Sequence, residues 1–258
     1  MVIEAIVLAG FAIALAWPVP VALARARWPA HHPAAALVLW QGIGLSGGLA
    51  LLTTELTAAA ATRDGPWSMA VWAVLTRPSF SWGLLAFGVT AAWLLFVLVR
   101  SGLRVAAARR RHRYLLDLLA QRSESDVDIL AHSATVAYSV PGRRSRIVIS
   151  QGATDALTPV ELAAVIEHER AHLRQHHDVV IQPFLAWRHS FPFLAAAAEA
   201  LRCVERLTEY LADDAAVARV GATPLAAALA ELAPADRDRR ARLATGQPGE
   251  PRPGYFGS

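Results

Sequence analysis

Cysteine and charged side chains are both scarce in this chain. Cys203 is the only cysteine, which excludes an internal disulfide and a cysteine-rich zinc site. Any metal ion must therefore be bound by histidine and carboxylate. Charged residues make up 18% of the chain, hydrophobic residues 55%, and mean hydropathy is +0.34. Because an average soluble domain contains about 25% charged residues, the composition predicts that part of the chain lies in lipid.

Three long apolar runs occupy the N-terminal part of the chain. They are residues 2–17, 34–52 and 80–99. At 1.5 Å per residue, the second run covers about 29 Å as a helix, which matches a bilayer core. The first run could also be a signal peptide, because Ala14-Leu15-Ala16 resembles a cleavage site, but it lacks the basic residues that open such a peptide. We therefore expect a membrane anchor of three transmembrane helices over residues 1–104.

Arginine provides the net charge of +4, and an arginine cluster follows the third run directly. The cluster comprises Arg100, Arg104, Arg109, Arg110, Arg111 and Arg113. Basic residues beside a membrane helix stay in the cytoplasm. This predicts an N-terminus outside, an outer loop over residues 53–79 with Arg63 and Arg77 offset by Glu55 and Asp64, and a cytoplasmic domain after residue 104 of a multi-pass protein in the cell membrane. The cluster could bind nucleic acid, but beside a membrane span it favours anionic lipid, and we expect no direct nucleic-acid binding.

After residue 104 the pattern changes to short strands and amphipathic helices. Residues 127–140 and 146–150 are strand-like and are separated by a Pro141-Gly142 turn signal, which predicts a small antiparallel sheet. Thr158, Pro159 and Glu161 supply the N-cap, first-turn proline and capping-box partner of a helix that we expect to reach about residue 176. The predicted fold is a mainly α membrane protein with a helical domain and a small sheet over residues 105–222.

Within that capped helix, His168, Glu169 and His172 form an HExxH motif. Residues four apart share a helix face, so both imidazoles can point at one ion, with the glutamate beside that face. Zinc lowers the pKa of a bound water to about 7, and Glu169 can take the proton as the catalytic base. The motif is typical of zinc metallopeptidases. Its place inside a capped helix favours a metal site over surface histidines that share the spacing by chance.

Two kinds of third ligand can be considered near the motif. Asp178 has the position of the last ligand in an HExxHxxGxxH site, but Gln175 stands where that site needs glycine. Without the glycine turn, the helix should carry Asp178 away from the ion. His176 and His177 should likewise continue along the helix and be solvated.

A better third ligand lies downstream. Glu209 leaves enough chain after His172 for a second helix to return to the site, and the alanines at 212 and 216 allow that helix to approach closely. Glu205 is its rival, one turn earlier. Asp213, one turn beyond Glu209, could accept the free N–H of a ligand imidazole.

Several segments resemble the BlaR/MecR-type integral-membrane zinc metallopeptidases. They are VIEHERAHLRQHHD, the Phe191-Pro192-Phe193 break, Glu209-Tyr210-Leu211-Ala212-Asp213 and Ala137-Tyr138-Ser139-Val140-Pro141-Gly142. Covering roughly residues 100–220, the resemblance implies a gluzincin fold and one Zn²⁺ per chain on His168, His172 and Glu209. It also implies catalysis by Glu169 and pairing of the strand near Tyr138 with an extended substrate. HtpX-type quality-control peptidases share the HExxH and ExxxD elements.

The C-terminal part departs from that family. BlaR/MecR sensors continue through another membrane helix into a penicillin-binding domain, whereas residues 223–233 are too short to span and contain Glu231. The charged, proline- and glycine-rich residues after them predict a flexible tail over 223–258. Residues 179–200 are apolar but contain Pro183 and Arg188, so we expect them to abut the membrane rather than cross it.

Together these features predict a membrane-anchored zinc-dependent endopeptidase that cleaves a protein substrate at the cytoplasmic membrane face. By resemblance, the substrate would be a transcriptional repressor, which makes cleavage a signalling step. One alternative is HtpX-like removal of damaged membrane proteins. Another is a non-catalytic signalling scaffold braced by zinc, against which Glu169 argues, because a structural site needs no base.

Overall fold

The computed structural model describes residues 2–61, 66–76, 81–121, 126–142 and 145–245. Several predicted features lie outside these residues: Arg63, Asp64 and Arg77 of the outer loop, the start of the third run at Phe80, and residues 246–258 of the expected tail. The described part divides into two compact units. The first contains the described residues of Met1–Ala26, Leu37–Leu103 and Gln182–Val204, and the second those of Arg27–Ala36, Arg104–Ile181 and Glu205–Ser258.

Long apolar helices dominate the first unit. Its N-terminal elements are α1 (Val2–Ala16), α2 (Pro18–Arg25), most of α3 (Pro33–Ala60), α4 (Trp67–Thr76) and the N-terminal part of α5 (Trp82–Leu119). Three stretches of these helices are long and apolar enough to cross a membrane, namely Ile3–Arg25, Pro33–Ala60 and Trp82–Arg111. Most of their large apolar side chains are exposed, as lipid contact requires. Membrane association is therefore supported by helix length and composition.

One glycine sets how closely two of these helices pack. A Cβ atom on Gly83 of α5 would lie 2.5 Å from the Ala59 nitrogen and 2.8 Å from the Glu55 carbonyl oxygen of α3. On the same pair of helices, the Thr90 hydroxyl donates to the Glu55 carboxylate at 2.7 Å. The pair Gly44 and Gly48, in contrast, makes no such close approach.

A fourth segment of the first unit comes from much later in the chain. Helix α8 (His177–Ser190) contains Pro183 and is followed by helix α9 (Ala195–Val220). Within the range Gln182–Val204, Phe184 is 2% exposed and packs edge-on against Trp40 at 6.3 Å between ring centroids. This part of the chain thus clusters with the long apolar helices. Whether it abuts or enters the membrane stays a prediction.

The second unit contains a small mixed sheet. Its strands are β1 (Ala120–Gln121), β2 (Val127–Leu130), β3 (Ala137–Val140) and β4 (Arg146–Ser150), in the order β1-β2-β4-β3. The hairpin of β3 and β4 is antiparallel, as predicted, but β2 and β4 are parallel. The prediction of a purely antiparallel sheet is therefore wrong, because a loop splits residues 127–140 into two strands that flank β4 on opposite sides. Strand β3 is left at the edge.

Helices complete the second unit. They are α6 (Gln151–Ala156), α7 (Pro159–Arg174), the C-terminal part of α9, α10 (Ala222–Leu232) and α11 (Arg237–Ala244). Residues of α6, α7 and α10 pack against the sheet. The predicted capping box of α7 is confirmed, since the Thr158 nitrogen donates to Glu161 at 2.8 Å and the Glu161 nitrogen donates back to the Thr158 hydroxyl at 3.4 Å. The predicted fold class, three apolar N-terminal helices before a mainly helical domain with a small sheet, is likewise confirmed.

The expectation of a flexible tail from residue 223 is wrong for the described residues up to 245. Leu225 and Leu229 of α10 and Leu243 of α11 are buried in one apolar cluster with Ala164 and Ala216. Apolar side chains spaced by three and four residues give α10 a face that packs against α7 and α9, and α11 contributes Leu243 to the same cluster. Two arginines of α11 also find carboxylate partners, which a charge-rich sequence does not reveal.

Candidate metal centre

The two motif histidines lie on one face of α7, in its C-terminal half. His168 is 7% exposed and His172 is half-buried. Their Nε2 atoms are 3.1 Å apart, with the rings roughly perpendicular at 71°. The i, i+4 spacing therefore directs both side chains toward one point, as helix geometry requires.

Helix α9 brings Glu209 to the same point. Its Oε2 lies 3.4 Å from the His168 Nε2, and its Oε1 lies 3.3 Å from the His172 Nε2. In a tetrahedral site with zinc–ligand bonds of about 2.1 Å, neighbouring ligand atoms are about 3.4 Å apart. The two distances to Glu209 join the histidines to two different oxygens, and with one ligand atom per residue the three side chains lie within 4.8 Å of one another, so they could hold a metal.

The predicted alternatives to Glu209 are placed elsewhere. Glu205 borders the cavity described below but is exposed and does not belong to this group of ligand atoms. Asp178 forms an ion pair with Arg109 of α5 at 2.8 Å. His176 is exposed, as expected.

Asp213 supports His168, one helical turn beyond Glu209. Its carboxylate is fully buried, and its Oδ1 lies 3.0 Å from the His168 Nδ1. A proton on Nδ1, facing this carboxylate, would leave Nε2 free to bind a metal and make it more basic. The structure therefore brings Asp213 to the position that a supporting carboxylate would occupy.

His177 supports the other imidazole, and the sequence analysis missed it. Helix α7 ends at Arg174, and His176 adopts a left-handed conformation with φ of 49°. This turn folds His177 back, so that it is 2% exposed rather than solvated. Its Nδ1 lies 2.9 Å from the His172 Nδ1, and its Nε2 lies 2.9 Å from the Gln175 Oε1.

The direction of these two hydrogen bonds follows from the Gln175 side chain. An amide oxygen only accepts, so the His177 Nε2 donates to Gln175 and its Nδ1 accepts from His172. His172 thus carries its proton on Nδ1, which leaves Nε2 for a metal. Burial, with the nearby His172, lowers the pKa of His177 to about 3, consistent with a neutral acceptor.

Arg239 is the second residue that the sequence analysis missed. It is 7% exposed and comes from α11. Its Nε and Nη2 donate to the two oxygens of Asp213 at 2.9 and 2.6 Å, and its Nη1 lies 2.7 Å from the Glu209 Oε2. The one local signal is Asp236, whose side chain caps α11 by accepting from the Arg239 nitrogen at 3.2 Å.

Charges in this group compensate one another. Burial disfavours protonated His168, but the carboxylates of Asp213 and Glu209 outweigh it and raise the pKa of His168 to about 9. Despite burial, hydrogen bonds from the histidines and the charge of Arg239 lower the pKa values of Glu209 and Asp213. In the metal-free form, a proton on His168 thus partly supplies the positive charge that these carboxylates attract.

The metal-site residues open onto a cavity of about 680 Å³. Tyr138 and Ser139 of the edge strand β3 form one wall, Glu169 lies beside the two histidines, and Leu225 and Leu229 of α10 contribute apolar surface. A cavity of this size falls in the range of ordinary ligand pockets. An open strand edge next to possible metal ligands is an arrangement that can hold an extended peptide.

Comparison with known proteins gives one match. Residues 106–187 match the family described as Peptidase family M48, a range that includes HExxH but ends before Glu209. No curated protein and no solved structure matches the chain. The family match and the three candidate membrane spans together support a membrane-associated metallopeptidase.

Proposed function

We propose that the chain is a membrane-anchored zinc endopeptidase that cleaves a protein substrate at the cytoplasmic membrane face. The observation that carries this proposal is the convergence of three possible ligands. The Nε2 atoms of His168 and His172 lie 3.4 and 3.3 Å from the Glu209 carboxylate, while their Nδ1 atoms lie near Asp213 and His177. A divalent metal could replace the proton of His168 at this point.

Two imidazole nitrogens and one carboxylate are a ligand set that fits zinc. When bound, zinc supplies Lewis-acid chemistry that polarises a carbonyl and makes water a stronger nucleophile. His168, His172 and Glu209 would hold it, and Asp213 and His177 would keep both imidazoles oriented. Glu169 would take the proton of the attacking water on its carboxylate and deliver it to the leaving amine.

The edge strand suggests how substrate is held. Because β3 has a partner on one side only within the described sheet, its outer backbone groups can pair with an extended peptide beside Glu169. Such pairing recognises the backbone of the substrate rather than its side chains, which fits an endopeptidase. We propose a protein substrate close to the lipid surface, a transcriptional repressor or a misassembled membrane protein.

The orientation rests on the arginine cluster. Arg104, Arg110 and Arg111 are exposed on α5 directly after its apolar stretch. Basic residues at that place favour a cytoplasmic location for the second unit. They also favour contact with anionic headgroups, which would keep the cavity near the inner face.

Zinc content and peptide cleavage of the purified full-length chain test the proposal. Wild type should bind one zinc per chain, Glu169→Gln should bind zinc but lose cleavage of an unfolded protein such as casein, and His172→Ala should lose both. Glu231→Gln, an exposed change of the same kind on α10, is the matched control and should keep both. Cleavage by Glu169→Gln at the wild-type rate would contradict the assigned base, and a folded wild type without zinc affinity would contradict the peptidase.

A further inference from the structure

Two arginines one turn apart on α11 reach in different directions. Arg239 reaches the metal-ligand group, with three of its nitrogens within 2.9 Å of Asp213 or Glu209 oxygens. Arg242 instead reaches Asp214 and the Ala30 carbonyl oxygen. Both guanidinium groups are almost fully buried, with side-chain exposures of 8% and 9%.

The Arg239 contacts constrain the ligand set in two ways. The bidentate pair with Asp213 fixes the carboxylate that orients His168, and the third nitrogen holds Glu209 Oε2. A fork of planar donors restricts both position and rotation, which a lysine cannot do. Arg239 therefore contacts Glu209 directly and acts on His168 through Asp213, with its Nη2 also 3.5 Å from the His168 Nε2.

The Arg242 contacts fix the helix that carries Arg239. Arg242 forms a bidentate pair with Asp214 at 2.7 and 2.8 Å and lies over the Tyr210 ring at 4.9 Å. Its Nε also donates to the Ala30 carbonyl oxygen at 3.0 Å. Ala30 closes the short turn Trp28–Ala30 in the loop between α2 and α3, two of the apolar helices.

We propose that α11 is a positioning element of the metal site. Arg239 acts as the positioning residue for Glu209 and Asp213, and Arg242 links the same helix to the loop between α2 and α3. The inference rests on the proposed function, since it concerns the ligands of that site. It means that the loop between the first two candidate membrane spans affects how tightly the ligands are held.

Zinc affinity of the full-length chain in lipid nanodiscs, measured by competition with a chromophoric chelator, tests this. Arg239→Gln should weaken zinc binding by about 10- to 100-fold, as loss of a group that orients ligands does. Arg242→Gln should weaken it by about 2- to 30-fold, because it acts through the helix. The double variant should bind no more weakly than Arg239→Gln alone, since both act along one route.

The matched control is Arg237→Gln, which removes the same charge from an exposed position of α11 and should leave zinc affinity unchanged. The absorption spectrum of the cobalt-substituted protein reports ligand geometry, so it should change in Arg239→Gln and Arg242→Gln but not in the control. If Arg239→Gln does not fold, Arg239→Lys keeps the buried charge and should still alter the spectrum.

Two results would overturn the inference. One is zinc affinity and a cobalt spectrum in both Arg239→Gln and Arg242→Gln that equal those of Arg237→Gln. The other is an additive double variant, which would remove the link between loop and site. His172→Ala separates this failure from failure of the proposed function, because it should lose zinc whenever the site is real and should behave as wild type only if the site is not.

Discussion

His168 and His172 stand one turn apart on α7, yet their Nδ1 atoms meet different partners. His168 faces the Asp213 carboxylate, which in turn is held by the Arg239 guanidinium. His172 faces the imidazole of His177, which in turn is held by the Gln175 amide. One support is thus ionic and the other is neutral.

The difference bears on what each support can do for a metal. A carboxylate makes its imidazole a more basic ligand, whereas a neutral acceptor fixes the tautomer and orientation with less effect on basicity. The ionic support also has a larger cost if it is broken, because a single buried charge remains. The neutral support involves one ordinary hydrogen bond on each side of the ring.

The largest effect is expected from breaking the ionic support. Asp213→Ala leaves the buried Arg239 guanidinium without its bidentate partner. Loss of one member of a buried ion pair costs about 3–5 kcal/mol, so the apparent free energy of unfolding in chemical denaturation should fall by about that amount. Zinc affinity should fall as well.

A double variant sharpens this expectation. Asp213→Leu with Arg239→Met replaces both charges by apolar side chains and should recover much of the lost stability. It should not recover zinc affinity, because His168 would still lack an acceptor. If the single variant Asp213→Ala unfolds as wild type does, the ionic support contributes nothing and the comparison fails.

The second effect concerns pH in the metal-free protein. The pKa of His168 is raised to about 9 from an ordinary 6.5, so its stabilising contribution is complete below about pH 6.5 and is lost as pH rises through 9. After treatment with a chelator, the thermal midpoint should therefore be lower at about pH 10 than at about pH 6.5. His177, with its pKa at about 3, is neutral throughout that range.

Two variants assign this pH dependence to one side of the site. Asp213→Asn removes the carboxylate charge that raises the His168 pKa and should flatten the dependence. His177→Ala should leave it as in wild type. An equal fall of the midpoint in Asp213→Asn and wild type would show that other groups titrate instead.

The sequence predicted those parts of the candidate metal centre that follow from local periodicity. Thr158 and Glu161 form a capping box, a sequence pattern that predicts where a helix starts. The four-residue spacing of His168 and His172, and of Glu209 and Asp213, places each pair on one helix face. These patterns depend only on the geometry of a helix, so they could be predicted without knowledge of the tertiary structure.

The missed parts depend on tertiary structure or on unusual backbone geometry. His177 reaches His172 only because His176 adopts a positive φ, which non-glycine residues rarely do and sequence seldom signals. Arg239 pairs with Asp213 across 26 positions of sequence, and its arginine-rich surroundings are typical of a solvated tail. Long-range ion pairs produce no periodic pattern in the sequence.

The smallest effect is expected from breaking the neutral support. His177→Ala removes the acceptor of the His172 Nδ1 proton but leaves no buried charge, so zinc affinity should fall by about tenfold. Its effect on stability should stay below that of Asp213→Ala. His177→Asn keeps an acceptor and should bind zinc more tightly than His177→Ala. His176→Asn is the matched control, since the His176 side chain is exposed and asparagine tolerates the left-handed backbone. If His176→Asn lost as much zinc affinity as His177→Ala, the effect would come from the turn rather than from the hydrogen bond.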